Sequence, residues 1–141
     1  MTSSWTRGEL EKIAAADELR VISLRRDGTP RAPVTVWVVR HGDDLYIRSV
    51  KGPTGSWFRG TQTRDEGRIH AGGVDRDVTF TDADRTLTDK IDGAYRTKYR
   101  RYAANIVNSV LTPQAQSATL RLVPRASERS TSQTPPRSRR P

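Results

Sequence analysis

The chain has 141 residues, no cysteine and a formal charge of +9, from 25 basic and 16 acidic residues. This length suits one domain with a real hydrophobic core, and we expect no second catalytic domain. The lack of cysteine excludes disulfides, thiolate metal sites and thiol nucleophiles, so redox chemistry would require a bound cofactor. Because the sequence has neither a long apolar stretch nor a signal peptide, we expect a cytoplasmic protein that does not enter membranes.

The basic charge is unevenly distributed along the chain. Residues 125–141 hold five arginines against the single acidic residue Glu128, and they contain almost no apolar side chains. Such a segment cannot bury enough surface to fold, so we predict a folded domain over residues 1–124 and a disordered basic tail over 125–141. The excess charge left on the domain suits anionic ligands such as phosphates.

The first elements have clear local signals. Thr6 and Glu9 have the spacing of a capping box, which predicts a short amphipathic helix. A β-branched run from Leu19 to Leu24 ends at Asp27-Gly28, the dipeptide preferred in tight hairpins.

The strand that returns from this hairpin is predicted over Ala32–Arg40. Its near-continuous apolar character indicates burial on both faces and predicts a central strand. After a turn at His41–Asp44, Leu45–Ser49 is predicted as the third strand of the meander.

A short helix bearing Trp57 and Phe58 should follow, with Thr54 or Ser56 as its N-cap. Gly72-Gly73 then predicts the turn of another hairpin, which joins strands over Gly67–Ala71 and Val74–Phe80.

Apolar residues at intervals of three and four run from Asp84 to Ile106, and this stripe predicts one long amphipathic helix. A last strand is predicted over Ala118–Val123, with Thr119 and Arg121 on its exposed face. The elements together indicate an α+β, mainly β, protein of about six antiparallel strands with two or three flanking helices.

The order of these elements resembles the split β-barrel of pyridoxamine-phosphate-oxidase-like proteins. Particular segments over residues 5–125 are similar to the bacterial family named domain of unknown function 2255. These segments are Trp57-Phe58-Arg59-Gly60, GRIHAGGVDRDVTF from Gly67, IDGAYRTKYRRY from Ile91 and TLRLVPR from Thr119. The resemblance implies a homodimer, because related split barrels build a cofactor cleft between two subunits.

A more distant resemblance is to the deazaflavin-dependent nitroreductases, which share a Ser-x-Lys-Gly segment before a helix bearing a tryptophan. That segment is Ser49-Val50-Lys51-Gly52 in this chain, and Trp57 follows it. An asparagine tends to stand three positions after the tryptophan in that family, whereas this chain has Gly60. The resemblance implies FMN or a deazaflavin coenzyme as the cofactor.

The same segment has the residue types that phosphate recognition requires. Arg48 and Lys51 supply cations, Ser49 a hydroxyl, and Gly52 a close approach of the backbone ahead of a helix N-terminus. We therefore predict cofactor binding by Arg48, Ser49, Lys51 and Gly52, with Trp57 lining the ring pocket. No catalytic residue is assigned.

Other patterns favour structural roles. Trp37 lies in a run of valines and is predicted as barrel core, and the alternating pair Asp75 and Asp77 as a solvated strand face. His41 and His70 are isolated, so no metal site is predicted.

Two functions are open at this point. The first is a flavin- or deazaflavin-binding oxidoreductase that transfers a hydride to or from a small organic substrate. The second is a cofactor-free binding module that recognises a protein or nucleic acid through its basic surface, which Gly60 and the arginine-rich tail favour. Nucleic acid is the less favoured partner, because no aromatic residue accompanies the arginines of the tail.

Overall fold

The computed structural model describes residues 4–125, which form a single seven-stranded antiparallel sheet flanked by helices. The strands are β1 (Leu19–Ser23), β2 (Val34–Val36), β3 (Val38–His41), β4 (Asp44–Arg48), β5 (Glu66–Ala71), β6 (Val74–Asp82) and β7 (Thr119–Pro124). The helices are α1 (Arg7–Ala15), α2 (Ser56–Thr63), α3 (Thr88–Lys98), α4 (Ala104–Asn108) and α5 (Pro113–Ser117). The predicted class, a mainly β barrel with flanking helices, is confirmed.

The sheet curls into a nearly closed barrel because its two end strands are consecutive in the chain. The strand order is β2-β1-β5-β6-β7-β4-β3, so β2 and β3 lie at opposite ends and only Trp37 separates them in sequence. The prediction of one central strand over Ala32–Arg40 is therefore wrong. The apolar run belongs to two edge strands, and Val38 and Val39 are buried because the barrel interior covers one side chain and α3 the other.

Two apolar clusters hold the barrel. The larger one fills the interior, where α1 and α2 add Ile13 and Phe58 to the inward side chains of the strands. The smaller one lies between the sheet and α3 and is built around Tyr46, Tyr95 and Tyr99. Burial of these side chains is the main stabilising contribution to the fold.

The local signals near the N-terminus are confirmed. Thr6 accepts a hydrogen bond from the Glu9 amide, and Glu9 accepts one from the Thr6 amide, which completes the capping box. Gly28 has a φ of 91° in the turn that leads from β1 toward β2, a conformation that favours glycine. The hairpin of β5 and β6 also forms as predicted.

The predicted long helix over Asp84–Ile106 is wrong, because α3 ends at Lys98 and α4 is a separate helix. The break follows from Tyr99, whose ring stacks on Trp37 at 3.8 Å and whose hydroxyl donates to the Asp17 carbonyl. These inward contacts turn the chain after α3, and α4 then lies over the rim of the barrel beside Trp37.

The other predictions concern the exposed face of the last strand, the chain end and membranes. Thr119 is buried rather than exposed, because its hydroxyl meets a side chain from β4. The last strand ends at Pro124, and the proposed domain boundary there stays a prediction. The predicted tail over residues 125–141 lies outside the described residues except for Arg125. No helix in the described part of the chain is long and apolar enough to cross a membrane.

Candidate functional site

A cavity of about 480 Å³ opens between β2, the end of β4, the start of α2 and the segment that carries α4. Four of the five predicted site residues line it, namely Arg48, Ser49, Lys51 and Trp57. Its other lining residues are Glu18, Val34, Thr35, Val36, Trp37, Val50, Gly55, Ser56, Ile106, Ser109 and Val110. The volume lies within the range of cavities that hold small-molecule ligands.

One end of the cavity meets the N-terminus of α2. The predicted caps are wrong: Gly55 is the N-cap, no side chain bonds to the first amides, and Thr54 donates instead to the Lys51 carbonyl. Gly55, Ser56 and Trp57 line the cavity, and the exposed Lys51 stands beside them. Uncapped amides, the helix dipole and an ammonium group together form an anion-binding environment.

Ser49 is packed tightly against this helix start. It is only 1% exposed, and a Cβ added at Gly55 would lie 2.5 Å from the Ser49 hydroxyl oxygen. The turn is held by hydrogen bonds from the Gly52 amide to the Ser49 carbonyl and from the Gly55 amide to the Gly52 carbonyl. Glycine at position 55 therefore keeps the hydroxyl next to the free amides.

Gly52 serves the turn rather than the cavity. It is buried, has a φ of 72°, and a Cβ there would overlap Gln114. The Gln114 side-chain amide donates to the Lys51 carbonyl at 2.8 Å, which ties α5 to the turn. The close backbone approach expected of Gly52 is therefore made to Gln114, and Gly52 is not among the residues that line the cavity.

The guanidinium of Arg48 is held inside the protein. Its Nη1 donates to Asp92 at 2.5 Å and to the Val110 carbonyl at 2.8 Å, and its Nε donates to the Thr119 hydroxyl at 2.9 Å. Asp92 also accepts a hydrogen bond from Gln116 at 2.9 Å. Arg48 is 2% exposed, so this buried network fixes the Val110 side of the cavity wall.

Arg31 has a buried donor next to α2 that the sequence analysis did not single out. Successive helical residues are turned by about 100°, so Gly60 projects between the cavity-lining residues Ser56 and Trp57, one turn further along α2. A Cβ at Gly60 would lie 2.8 Å from the hydroxyl oxygen of the buried Ser23 and 3.0 Å from Arg31 Nε, so glycine leaves room for both side chains. That Nε is buried and has no hydrogen-bond partner among the described residues, and Arg31 is not among the residues that line the cavity.

The walls of the cavity are flat and apolar. Trp57 lines it from α2, and Trp37 lines it from the bend between β2 and β3, half-buried rather than in the barrel core as predicted. The Trp37 ring is parallel to that of Tyr99, with an angle of 4° between the planes, and this stack fixes its orientation. Two rigid indoles suit a planar ring system.

Titratable groups beside the Trp37 stack are shifted by burial. Desolvation lowers the pKa of Lys98 to about 8, and its ammonium group donates to the Val38 carbonyl at 2.7 Å. Desolvation raises the pKa of the buried Tyr95 and Tyr99 hydroxyls above the ordinary tyrosine value. Lys98 and Tyr95 lie outside the cavity lining, so these shifts describe the packing behind it.

The residues assigned structural roles by the sequence lie elsewhere. Asp77 forms an ion pair with Arg68 at 2.8 Å, Asp75 contacts the His70 ring at 2.8 Å, and none of these residues lines the cavity. No group of three or more possible metal ligands occurs among residues 4–125.

The comparisons with known proteins agree with this fold. Residues 9–122 match the model of a family described as "Uncharacterized protein conserved in bacteria (DUF2255)". No curated protein matches the chain.

Solved structures with the same fold share little sequence with the chain. An F420 reductase superposes with a TM-score of 0.57 at 13% identity, over 86% of this chain and 97% of that one. HutZ, the heme storage protein from Vibrio cholerae, gives 0.59 at 11% identity over 86% and 91%. An FAD-binding protein from Mesorhizobium loti gives 0.56 at 14% identity over 89% and 94%. At these identities the likeness shows the split-barrel fold.

Proposed function

The chain belongs to the DUF2255 family, and we propose that it binds a phosphorylated flavin or deazaflavin in the cavity between β2, α2 and α4. One observation carries the proposal: the uncapped N-terminus of α2 and Lys51 lie at one end of a cavity that is lined by two tryptophans. The F420 reductase and the FAD-binding protein with this fold support the same class of ligand.

The residues at the α2 end fit a phosphate group. In the proposal, Lys51 supplies the charge, and the Ser49 hydroxyl and the amides of the first α2 turn supply hydrogen bonds. Arg31 lies outside the cavity lining and has no assigned part in holding the phosphate. Arg48 acts as a positioning residue, because its guanidinium is already engaged by Asp92.

The rest of the cavity fits the ring. Trp57 and Trp37 offer flat walls, and Val34, Val36 and Val110 complete an apolar surface that keeps water away. Bound in this way, a flavin-type ring would accept or donate a hydride, which the protein's own side chains cannot do. The protein's part is to orient the ring and exclude water, and no nucleophile or general base is needed for it.

The donor set does not favour heme. No histidine, cysteine, methionine or tyrosine is among the described residues that line the cavity. Heme iron requires such an axial ligand. The likeness to HutZ therefore extends to the fold and does not transfer to the ligand.

We propose that a second copy of the chain covers the open side of the cavity in a homodimer. Val50 and Ile106, the large apolar side chains most exposed among residues 4–125, both line the cavity, at 50% and 46% exposure. Exposed apolar side chains next to the open edge of β2 are typical of an interaction surface. Sedimentation analysis should show a dimer, and the V50D/I106D variant should sediment as a monomer; a wild-type monomer would overturn this part.

The test of the proposal is a titration of the full chain with FMN and with the deazaflavin coenzyme F420, followed by ring absorbance and tryptophan fluorescence. We expect saturable binding of at least one of them, about tenfold weaker for Lys51→Ala because one charged phosphate contact is lost. Lys90→Ala is the control, since Lys90 is exposed on α3 and outside the cavity. If neither ligand binds and the chain binds DNA in a salt-sensitive manner, the result would instead support a binding module that acts through its basic surface.

A further inference from the structure

The part of the cavity lined by Glu18 and Trp37 differs in charge from the part beside Lys51. Leu19 pairs with Val36, which brings Glu18 next to Trp37, and Val38 pairs with Ile47, which brings Trp37 level with Arg48. Lys51 follows Arg48 by three residues and lies at the α2 end instead. Glu18 and Trp37 therefore form a separate end of the same cavity, here named the Trp37–Glu18 end.

Trp37 offers one indole face to this space. Tyr99 covers the other face at 3.8 Å, and Tyr102 braces the ring at a tilt of 45° and a distance of 5.1 Å. The ring therefore stays in one orientation when a ligand enters. An indole face is the aromatic surface that attracts cations most strongly.

Glu18 supplies the charge at this end. Its carboxylate takes part in none of the ion pairs found among residues 4–125, whereas the adjacent Asp17 is bound to Arg101. The charge of Arg48 is balanced by Asp92, and the Lys98 ammonium group is bonded to the Val38 carbonyl outside the cavity lining. The cavity is therefore bipolar, with Lys51 at one end and an unpaired carboxylate at the other.

We propose that the Trp37–Glu18 end binds an organic cation with a flat apolar body, such as an N-alkylated heteroaromatic ring or an aromatic amine in its protonated form. Stacking on the indole and attraction to the Glu18 carboxylate would act on the same group. The assignment of this cation as the substrate beside the coenzyme rests on the proposed function, but its binding does not. Neutral and anionic analogues of the same size would lack both electrostatic contributions.

Calorimetric titration of the full chain, without any flavin, tests the inference with three probes of similar size. These are 1-methylnicotinamide, a cation, nicotinamide, which is neutral, and nicotinate, an anion. We expect the cation to bind at least about tenfold more tightly than the neutral amide, and nicotinate to bind more weakly still. Glu18→Gln should bring the cation and the neutral amide to within about twofold of each other.

Two control variants separate the possible causes. Glu11→Gln removes one exposed carboxylate on α1, outside the cavity, and should leave the preference unchanged. Lys90→Ala removes one exposed cation on α3, outside the cavity, and should also leave the preference unchanged. Equal binding of cation and neutral amide, no binding of the cation at millimolar concentration, or a preference that survives Glu18→Gln would overturn the inference. If flavins fail to bind but the preference is found, the proposed function falls and this site stands.

Discussion

Replacing Asp92 with alanine is the sharpest test of the network behind the cavity. The variant removes the carboxylate that receives Arg48 Nη1 at 2.5 Å and the Gln116 amide at 2.9 Å. The side chain of Arg48 is fully buried, so its guanidinium cannot move into water when the Asp92 carboxylate is lost. The guanidinium would be left with the Val110 carbonyl, the Thr119 hydroxyl and a long contact of 3.5 Å to the Thr88 carbonyl.

The magnitude follows from this burial. Removing one partner of a buried ion pair lowers the free energy of unfolding by about 3–5 kcal/mol. For a domain of this size that loss corresponds to a fall in Tm of roughly 10–20 °C. Because a domain of this kind has a total stability of about 5–15 kcal/mol, the variant should still fold at low temperature. The double variant Arg48→Met/Asp92→Leu should be destabilised by less than the sum of its single changes, because no charge is left buried.

Urea unfolding followed by tryptophan fluorescence measures both effects. Asp89→Asn is the matched control: Asp89 lies one helical turn earlier on α3, is exposed, and should matter by no more than about 0.5 kcal/mol. A loss below about 1 kcal/mol for Asp92→Ala would refute the reasoning, since it would mean that the guanidinium finds water or another acceptor.

Three further changes have defined outcomes. Gly93→Ala should raise the free energy of unfolding by about 0.5–1 kcal/mol in thermal melts, because alanine favours a helix more than glycine does and its Cβ would meet no atom within 4 Å. A lower free energy of unfolding would show that the new methyl group is crowded. Gly52→Ala should lower the free energy of unfolding by about 2–4 kcal/mol, because the new Cβ would overlap Gln114 and the φ of 72° disfavours alanine. Adding Gln114→Ala should restore only part of that free energy, since the φ stays unfavourable; full restoration would show that the overlap alone matters. The pKa of Lys98 falls from 10.5 to about 8 on burial, so the unfolded chain binds more protons between these values and stability should rise with pH across that window. Lys98→Met should remove this part of the pH dependence in Tm measurements; an unchanged slope would contradict the burial of the ammonium group.

The sequence predicted best where a few neighbouring residues determine the structure. The capping box of Thr6 and Glu9 satisfies backbone amides within one turn, and Gly28 permits the φ that its hairpin needs. Both signals are local and depend on no distant contact. The bend at Trp37 has no such signal, because it arises from the closure of the barrel and from a stack with Tyr99, 62 positions further along the chain.

The candidate site could be predicted in part for the same reason. Ser49, Lys51 and Trp57 lie within nine residues of one another, and the structure brings them to one cavity. The partner that engages Arg48 is 44 residues away, so its burial could not be read from the segment itself. The position of Arg31 beside Gly60 could not be predicted either, because the two residues are 29 positions apart and no local pattern links them.

The central claim is that Lys51 and the start of α2 hold a phosphate, and comparison of FMN with riboflavin tests it most directly. The two ligands share the ring and differ in the phosphate, so the ratio of their Kd values isolates that group. We predict that the wild-type chain binds FMN at least about tenfold more tightly than riboflavin, and that Lys51→Ala lowers this ratio by about tenfold while riboflavin binding is unchanged. A ratio that is the same in both proteins would place the phosphate away from Lys51 and contradict the account.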